Sequence, residues 1–114
     1  MITLNVPSPL SVNKTRRIDW REHAKTKEWL RQADAQFLLQ KQALAGQAIT
    51  GPFELTLTLR DGSRKDLDNC CKIAIDAVRR YRLVTDDDPA HMRRLVVEFG
   101  DVEGCRVTIR SMEG

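Results

Sequence analysis

Pro52-Phe53-Glu54-Leu55-Thr56-Leu57-Thr58-Leu59-Arg60 alternates without a break. Phe53, Leu55, Leu57 and Leu59 fall on one side, and Glu54, Thr56 and Thr58 on the other. Successive side chains of an extended chain point to opposite faces, so the stretch predicts a half-buried strand. Asp61-Gly62-Ser63 then turns the chain. A helix opens at Asp66 or Leu67 and reaches about Tyr81. Leu67, Cys71, Ala74 and Val78 line one side of it, extended by Cys70, Ala77 and Tyr81, while Asp68, Lys72, Asp76 and Arg79 form a polar stripe opposite.

Upstream, Met1–Val6 reads as a short strand with Ile2, Leu4 and Val6 on one face, stopped by Pro7-Ser8-Pro9. A polar, basic loop, Ser11 to Arg17, leads to a long helix from about Trp20 to Ala45. Leu30, Ala33, Phe37 and Leu44 share one face of that helix, with Trp29 beside them, and Gly46 is a natural stop. Downstream, Arg93–Phe99 and Cys105–Arg110 read as two strands joined by a hairpin through Gly100–Gly104. The expected order is β-α-β-α-β-β: a single α+β domain, residues 1–114, with a small mixed sheet packed against two helices.

The net charge is +3, but it is unevenly spread. Residues 1–45 hold eight Lys/Arg against four acids, residues 60–82 seven against four, and residues 83–114 four against seven. A basic partner surface should therefore come from the first half and the central segment. Aromatic residues make up 5% of the chain, too little for a base-stacking platform. Three cysteines, Cys70, Cys71 and Cys105, form no C-x-x-C pair, and buried thiols in a reducing, cytoplasmic setting are the simplest reading. His23 and His91 have no metal-ligand spacing. No apolar run is long enough to span a membrane, and no apolar signal core opens the chain.

The chemistry-bearing stretch is Lys65-Asp66-Leu67-Asp68-Asn69, followed by Lys72 and then by Thr85-Asp86-Asp87-Asp88. Carboxylates that close repel one another, and a hard divalent cation is the usual reason to gather them. Inside a regular helix Asp66 and Asp68 would point about 200° apart, so they converge on one ion only if Asp66 precedes the helix. The competing reading is structural: Asp66 caps the helix and Asp68 complements its dipole. Lys72, one turn beyond Asp68, is either an i, i+4 ion-pair partner or an ammonium placed against a phosphate. Asp86–Asp88 is either a solvated acidic turn before Pro89 or the third carboxylate source.

These residues resemble the RusA family of Holliday junction resolvases. Lys65-Asp66-Leu67-Asp68-Asn69-x-x-Lys72, Ile75-Asp76-Ala77 and Asp86-Asp87 follow that family's D-L-D-N-x-x-K…D-A…D-D pattern, and Ser11-Val12-Asn13 its N-terminal P-S-x-N signature. The basic run before Asp66 is thinner than the family's. The resemblance implies a RusA-like fold and a metal-dependent, homodimeric endonuclease of phage or prophage origin that resolves four-way DNA junctions by paired symmetric hydrolysis. By it, Asp66, Asp68 and Asp87 are catalytic metal ligands for Mg²⁺, with Mn²⁺ able to substitute. Asp86 and Asp88 are the alternatives to Asp87. Lys72 is the catalytic lysine, and the acidic loop returns to Asp66-x-Asp68. Asn13, Lys14, Arg16, Arg17, Arg64, Lys65, Asn69, Arg79 and Arg80 are the expected DNA-binding residues. Asp76 is expected as an ion-pair partner of Lys72 or Arg80. Two rival readings need no catalysis: a nucleic-acid-binding module, or a phage accessory protein that docks through an amphipathic helix.

Overall fold

A computed structural model describes the backbone of residues 1–8, 20–61 and 67–112, and the side chains of residues 1–8, 24–61 and 71–112. The elements follow the expected order: β1 (Ile2–Val6), α1 (Trp20–Leu44), β2 (Phe53–Arg60), α2 (Leu67–Arg80), β3 (Met92–Gly100) and β4 (Cys105–Ser111). The fold is α+β, with one four-stranded mixed sheet and two helices.

The strand order is β1-β4-β2-β3. β4 runs antiparallel to both β1 and β2, whereas β3 runs parallel to β2. The expected β3–β4 hairpin is therefore absent, since β2 lies between the two strands. Burial follows the placement. Cys105, Val107 and Ile109 of β4 are all buried, the mark of an interior strand, while β3 is buried at none of its positions. A short connection suggests neighbours in the sheet, but here it passes over β2, and apolar content does not single out the inner strand, since β3 carries more apolar residues than β4.

Three apolar rows run across the face that the helices cover. They are Ile2–Ile109–Leu55–Leu95, Leu4–Val107–Leu57–Val97 and Val6–Cys105–Leu59–Phe99. The first three members of each row are buried, and the β3 member is not. Trp29, Ala33 and Leu44 from α1 and Cys71, Ile73, Ala74, Ala77 and Val78 from α2 complete the core. The Trp29 indole N–H donates to the carbonyls of Pro7 and Ser8 at 3.2 and 3.0 Å, which ties the end of β1 to α1.

The two helices are locked together by one carboxylate. Asp34 of α1 accepts from the Arg80 guanidinium at 3.0 and 3.3 Å and from the Tyr81 hydroxyl at 2.8 Å, and the Tyr81 ring stacks on Phe37 with centroids 4.2 Å apart. Arg80 thus pairs across helices and not with Asp76 as expected.

Helix α2 ends in a Schellman turn. The Arg82 N–H bonds to the Arg79 carbonyl at 3.0 Å, and the Leu83 N–H to the Val78 carbonyl at 3.2 Å. Arg82 occupies the left-handed position, at φ 59°. After α1, Ala45 is already left-handed at φ 53° and Gly46 follows at φ 70°.

Each sheet edge is treated differently. At the β1 edge, the Gln40 side-chain amide accepts from the Asn5 N–H at 2.8 Å and donates to the Asn5 carbonyl at 2.7 Å, as a neighbouring strand would. At the other edge, β3 pairs with β2 alone among the described residues.

Candidate metal and nucleic-acid site

The β2-α2-β3 unit decides where the carboxylates lie. β2 runs from Phe53 to Arg60, and α2 starts beyond its far end and runs back. Because β3 is parallel to β2, with Phe53 opposite Met92, the chain must return to the starting end before β3 begins. Val84 bridges to Ile49 just ahead of β2, so the acidic loop sits at that starting end. The first turn of α2, which holds Asp68, lies about 20 Å away along the helix axis. Within one chain the acidic loop does not return to the first turn of α2, where Asp68 stands. The return of this loop, which the family resemblance implies, is not made to Asp68 of the same chain.

Each member of the acidic loop has a separate local role. Asp88 shapes the turn into β3: its side chain accepts from the His91 N–H at 3.0 Å and meets the His91 ring Nδ1 at 2.6 Å, and its carbonyl accepts from the Met92 N–H at 2.9 Å. The hydrogen bond from His91 outweighs desolvation and holds the Asp88 carboxyl below the usual carboxylate range. Asp86 accepts from the Asp87 N–H at 2.7 Å. The Arg79 guanidinium, in the last turn of α2, lies 3.7 Å from Asp86 and 3.5 Å from Asp87, both of them half-buried. Asp88 is thus committed to the turn, and Asp86 and Asp87 share the Arg79 guanidinium.

Sequence reasoning placed Arg79 and Arg80 on DNA, yet both are held in ion pairs, Arg79 with the acidic loop and Arg80 with Asp34. No local spacing rule flags Arg79, because its partners lie beyond the helix end. Lys72 and Asp76 are exposed on the outer side of α2, as the polar stripe predicts. Asn13, Lys14, Arg16, Arg17, Arg64, Lys65 and Asp66 lie outside the described residues. Asp68 and Asn69 are described as backbone in the first turn of α2. Among the described residues, no group of three or more His, Cys, Asp or Glu side chains could hold a metal ion. Cys71 and Cys105 are buried and form no disulfide among the described residues. No described helix is long and apolar enough to cross a membrane.

The donor chemistry suits a hard cation nonetheless. Asp86 and Asp87 offer oxygen ligands only, and the nearby guanidinium approaches them loosely enough to leave lone pairs unused. The surroundings divide sharply: the outer side of α2 carries Lys72 at one end and the Arg79–Asp86–Asp87 cluster at the other. No protein-family model matches the chain, and no curated protein is significantly similar to it.

Proposed function

We propose that the protein is a Mg²⁺-dependent, structure-selective DNA endonuclease that cuts four-way junctions. The reading rests on the Lys65-Asp66-Leu67-Asp68-Asn69-x-x-Lys72 motif, carried at the start of a helix whose outer side leaves Lys72 open to a large anionic partner. Asp66, Asp68 and Asp87 would hold Mg²⁺ or Mn²⁺, which when bound activates water and neutralises charge building on the phosphate. Lys72 contacts that phosphate, and Arg79 keeps Asp86 and Asp87 turned toward the site. Arg16, Arg17, Arg64 and Lys65, with Asn13, Lys14 and Asn69, contact the DNA backbone. Buried cysteines outside any disulfide accord with a cytoplasmic protein.

The distance along α2 bears on assembly. One chain keeps its two carboxylate sources at opposite helix ends, so a shared ion would need two chains with their α2 helices antiparallel. In such a homodimer the Asp66-x-Asp68 end of one copy meets Asp87 of the other, twice. Two equivalent sites match the approximate two-fold symmetry of a four-way junction and its need for paired, symmetric cuts.

A labelled synthetic junction, incubated with and without Mg²⁺, tests the reading. Wild-type protein should incise it only with Mg²⁺ or Mn²⁺, and Asp66→Asn, Asp68→Asn and Asp87→Asn should each bind without cutting. Asp88→Asn should keep its rate per folded molecule, because Asp88 serves the turn. Full cutting under EDTA would end the metal assignment. Junction binding with no incision under any cation would favour the non-catalytic nucleic-acid-binding module.

A further inference from the structure

The free edge of β3 combines exposed apolar side chains with an unpaired strand. Leu95 is 39% exposed and Phe99 43%, although both continue the apolar rows of the core. A long edge strand with apolar side chains is a template for another strand unless something covers it. The opposite edge is covered, by Gln40 on Asn5. The Gly100 carbonyl accepts from the Asp61 N–H and so faces β2. Backbone groups alternate in direction along a strand, so Leu95, Val97 and Phe99 turn their N–H and C=O groups to the open side.

The side chains say what fits there. The strand reads Arg94-Leu95-Val96-Val97-Glu98. If it meets a second copy antiparallel about Val96, Arg94 lies opposite Glu98 of the other copy, and Glu98 opposite its Arg94. On the other face Leu95 lies opposite Val97, which extends the apolar rows into the second sheet. Shifting the centre to Val97 would put Val96 against Glu98. Arg94 already has Glu54 on its inner side, at 3.9 Å, and Glu54 has Arg110 beyond it, at 2.6 Å. The pairing thus continues a row of alternating charge, Arg110–Glu54–Arg94, with Glu98 of the second copy. Glu98 is exposed and has no ion pair among the described residues.

We propose that two copies of this chain pair through their β3 edges, antiparallel and centred on Val96, to form one eight-stranded sheet. The inference rests on the two-copy reading above and supplies its surface and register. α2 runs antiparallel to β3 on the same face of each sheet, so the two α2 helices then lie side by side in opposite directions.

Sedimentation equilibrium on the full chain tests it, with circular dichroism to establish folding. Arg94→Glu and Glu98→Arg should each weaken the dimer by about tenfold or more, since each turns two facing ion pairs into repulsions. Mixing the two variants should restore wild-type affinity, because every facing pair is again opposite in sign. Val97→Pro removes an outward N–H without touching the β2 ladder, and should give a folded monomer. If Arg94→Glu fails to fold, the decision passes to Glu98→Arg and Val97→Pro. A wild-type dimer whose affinity is unchanged in the folded variants would overturn the β3 surface and leave the homodimer standing. A wild-type protein that stays monomeric at about 100-fold the concentration used for cleavage would overturn both. The nuclease assignment is judged separately by Mg²⁺-dependent incision.

Discussion

Asp34 gathers an unusual share of the molecule's polar contacts for a single side chain. Burial pushes its pKa up, but the hydrogen bonds from Arg80 and Tyr81 and the charge of Arg80 outweigh this, and the net shift is downward. A carboxyl with a depressed folded pKa contributes stability above its unfolded value, about 4, and loses it as pH falls below that. Tyr81 behaves in the opposite sense. Burial, then the bond to Asp34, raise its pKa well above the ordinary value. Its contribution is intact below about pH 10 and fades as pH climbs beyond. Thermal unfolding followed from pH 2 to 11 should therefore show an acid limb that Asp34→Asn flattens and an alkaline limb that Tyr81→Phe flattens. An alkaline limb unchanged by Tyr81→Phe would place the titrating group elsewhere. Asp34→Ala should cost about 1–2 kcal/mol, the value of charge-assisted hydrogen bonds discounted for partial exposure. None of this was legible from sequence. Asp34 and Arg80 stand 46 residues apart, and no periodicity joins residues on two different helices.

The helices and strands themselves were far easier to read, because each announces itself locally. β2 alternates perfectly, and its observed burial alternates with it. The apolar side of α2 is buried from Cys71 through Val78, as its spacing predicts. What failed was neighbourhood: the hairpin expected between β3 and β4, and the return of the acidic loop to the start of α2. Both are properties of how elements are ordered in the sheet, and local spacing carries no trace of that order. The α2 terminus offers an element-scale prediction. The left-handed site of its closing turn suits glycine, but Arg82 occupies it. Arg82→Gly should stabilise the protein by roughly 0.5–1 kcal/mol, read as a higher denaturation midpoint at unchanged slope. A loss of stability would mean that the arginine side chain has a role that outweighs its backbone strain.

At the scale of the whole molecule, stability is concentrated where the three apolar rows cross β4 and β2. Leu57 is fully buried at the centre of the middle row, so Leu57→Ala should cost about 2–5 kcal/mol, enough to threaten folding of a domain this size. Leu95→Ala, at the open end of its row, should cost the monomer far less. Equal losses at the two positions, by denaturant titration at low protein concentration, would contradict this account of the core.

The position of β4 has a consequence for how the chain comes into being. It follows the other three described strands in the chain, yet it occupies the sheet between β1 and β2, with Ile2 facing Ile109 and Leu55 facing it from the other side. Until residue 111 has left the ribosome, β1 has no partner strand and β2 has one side unpaired. The growing chain can form α1, α2 and the β2-α2-β3 unit, but it cannot close the core. Closure then joins Ile2 to Ile109, the most widely separated of the strand pairings, so folding should be slow for the size of the domain. A chain ending at residue 104 should show helical signal but no cooperative melting transition. During synthesis, the apolar rows would stay open to other molecules until the final strand inserts.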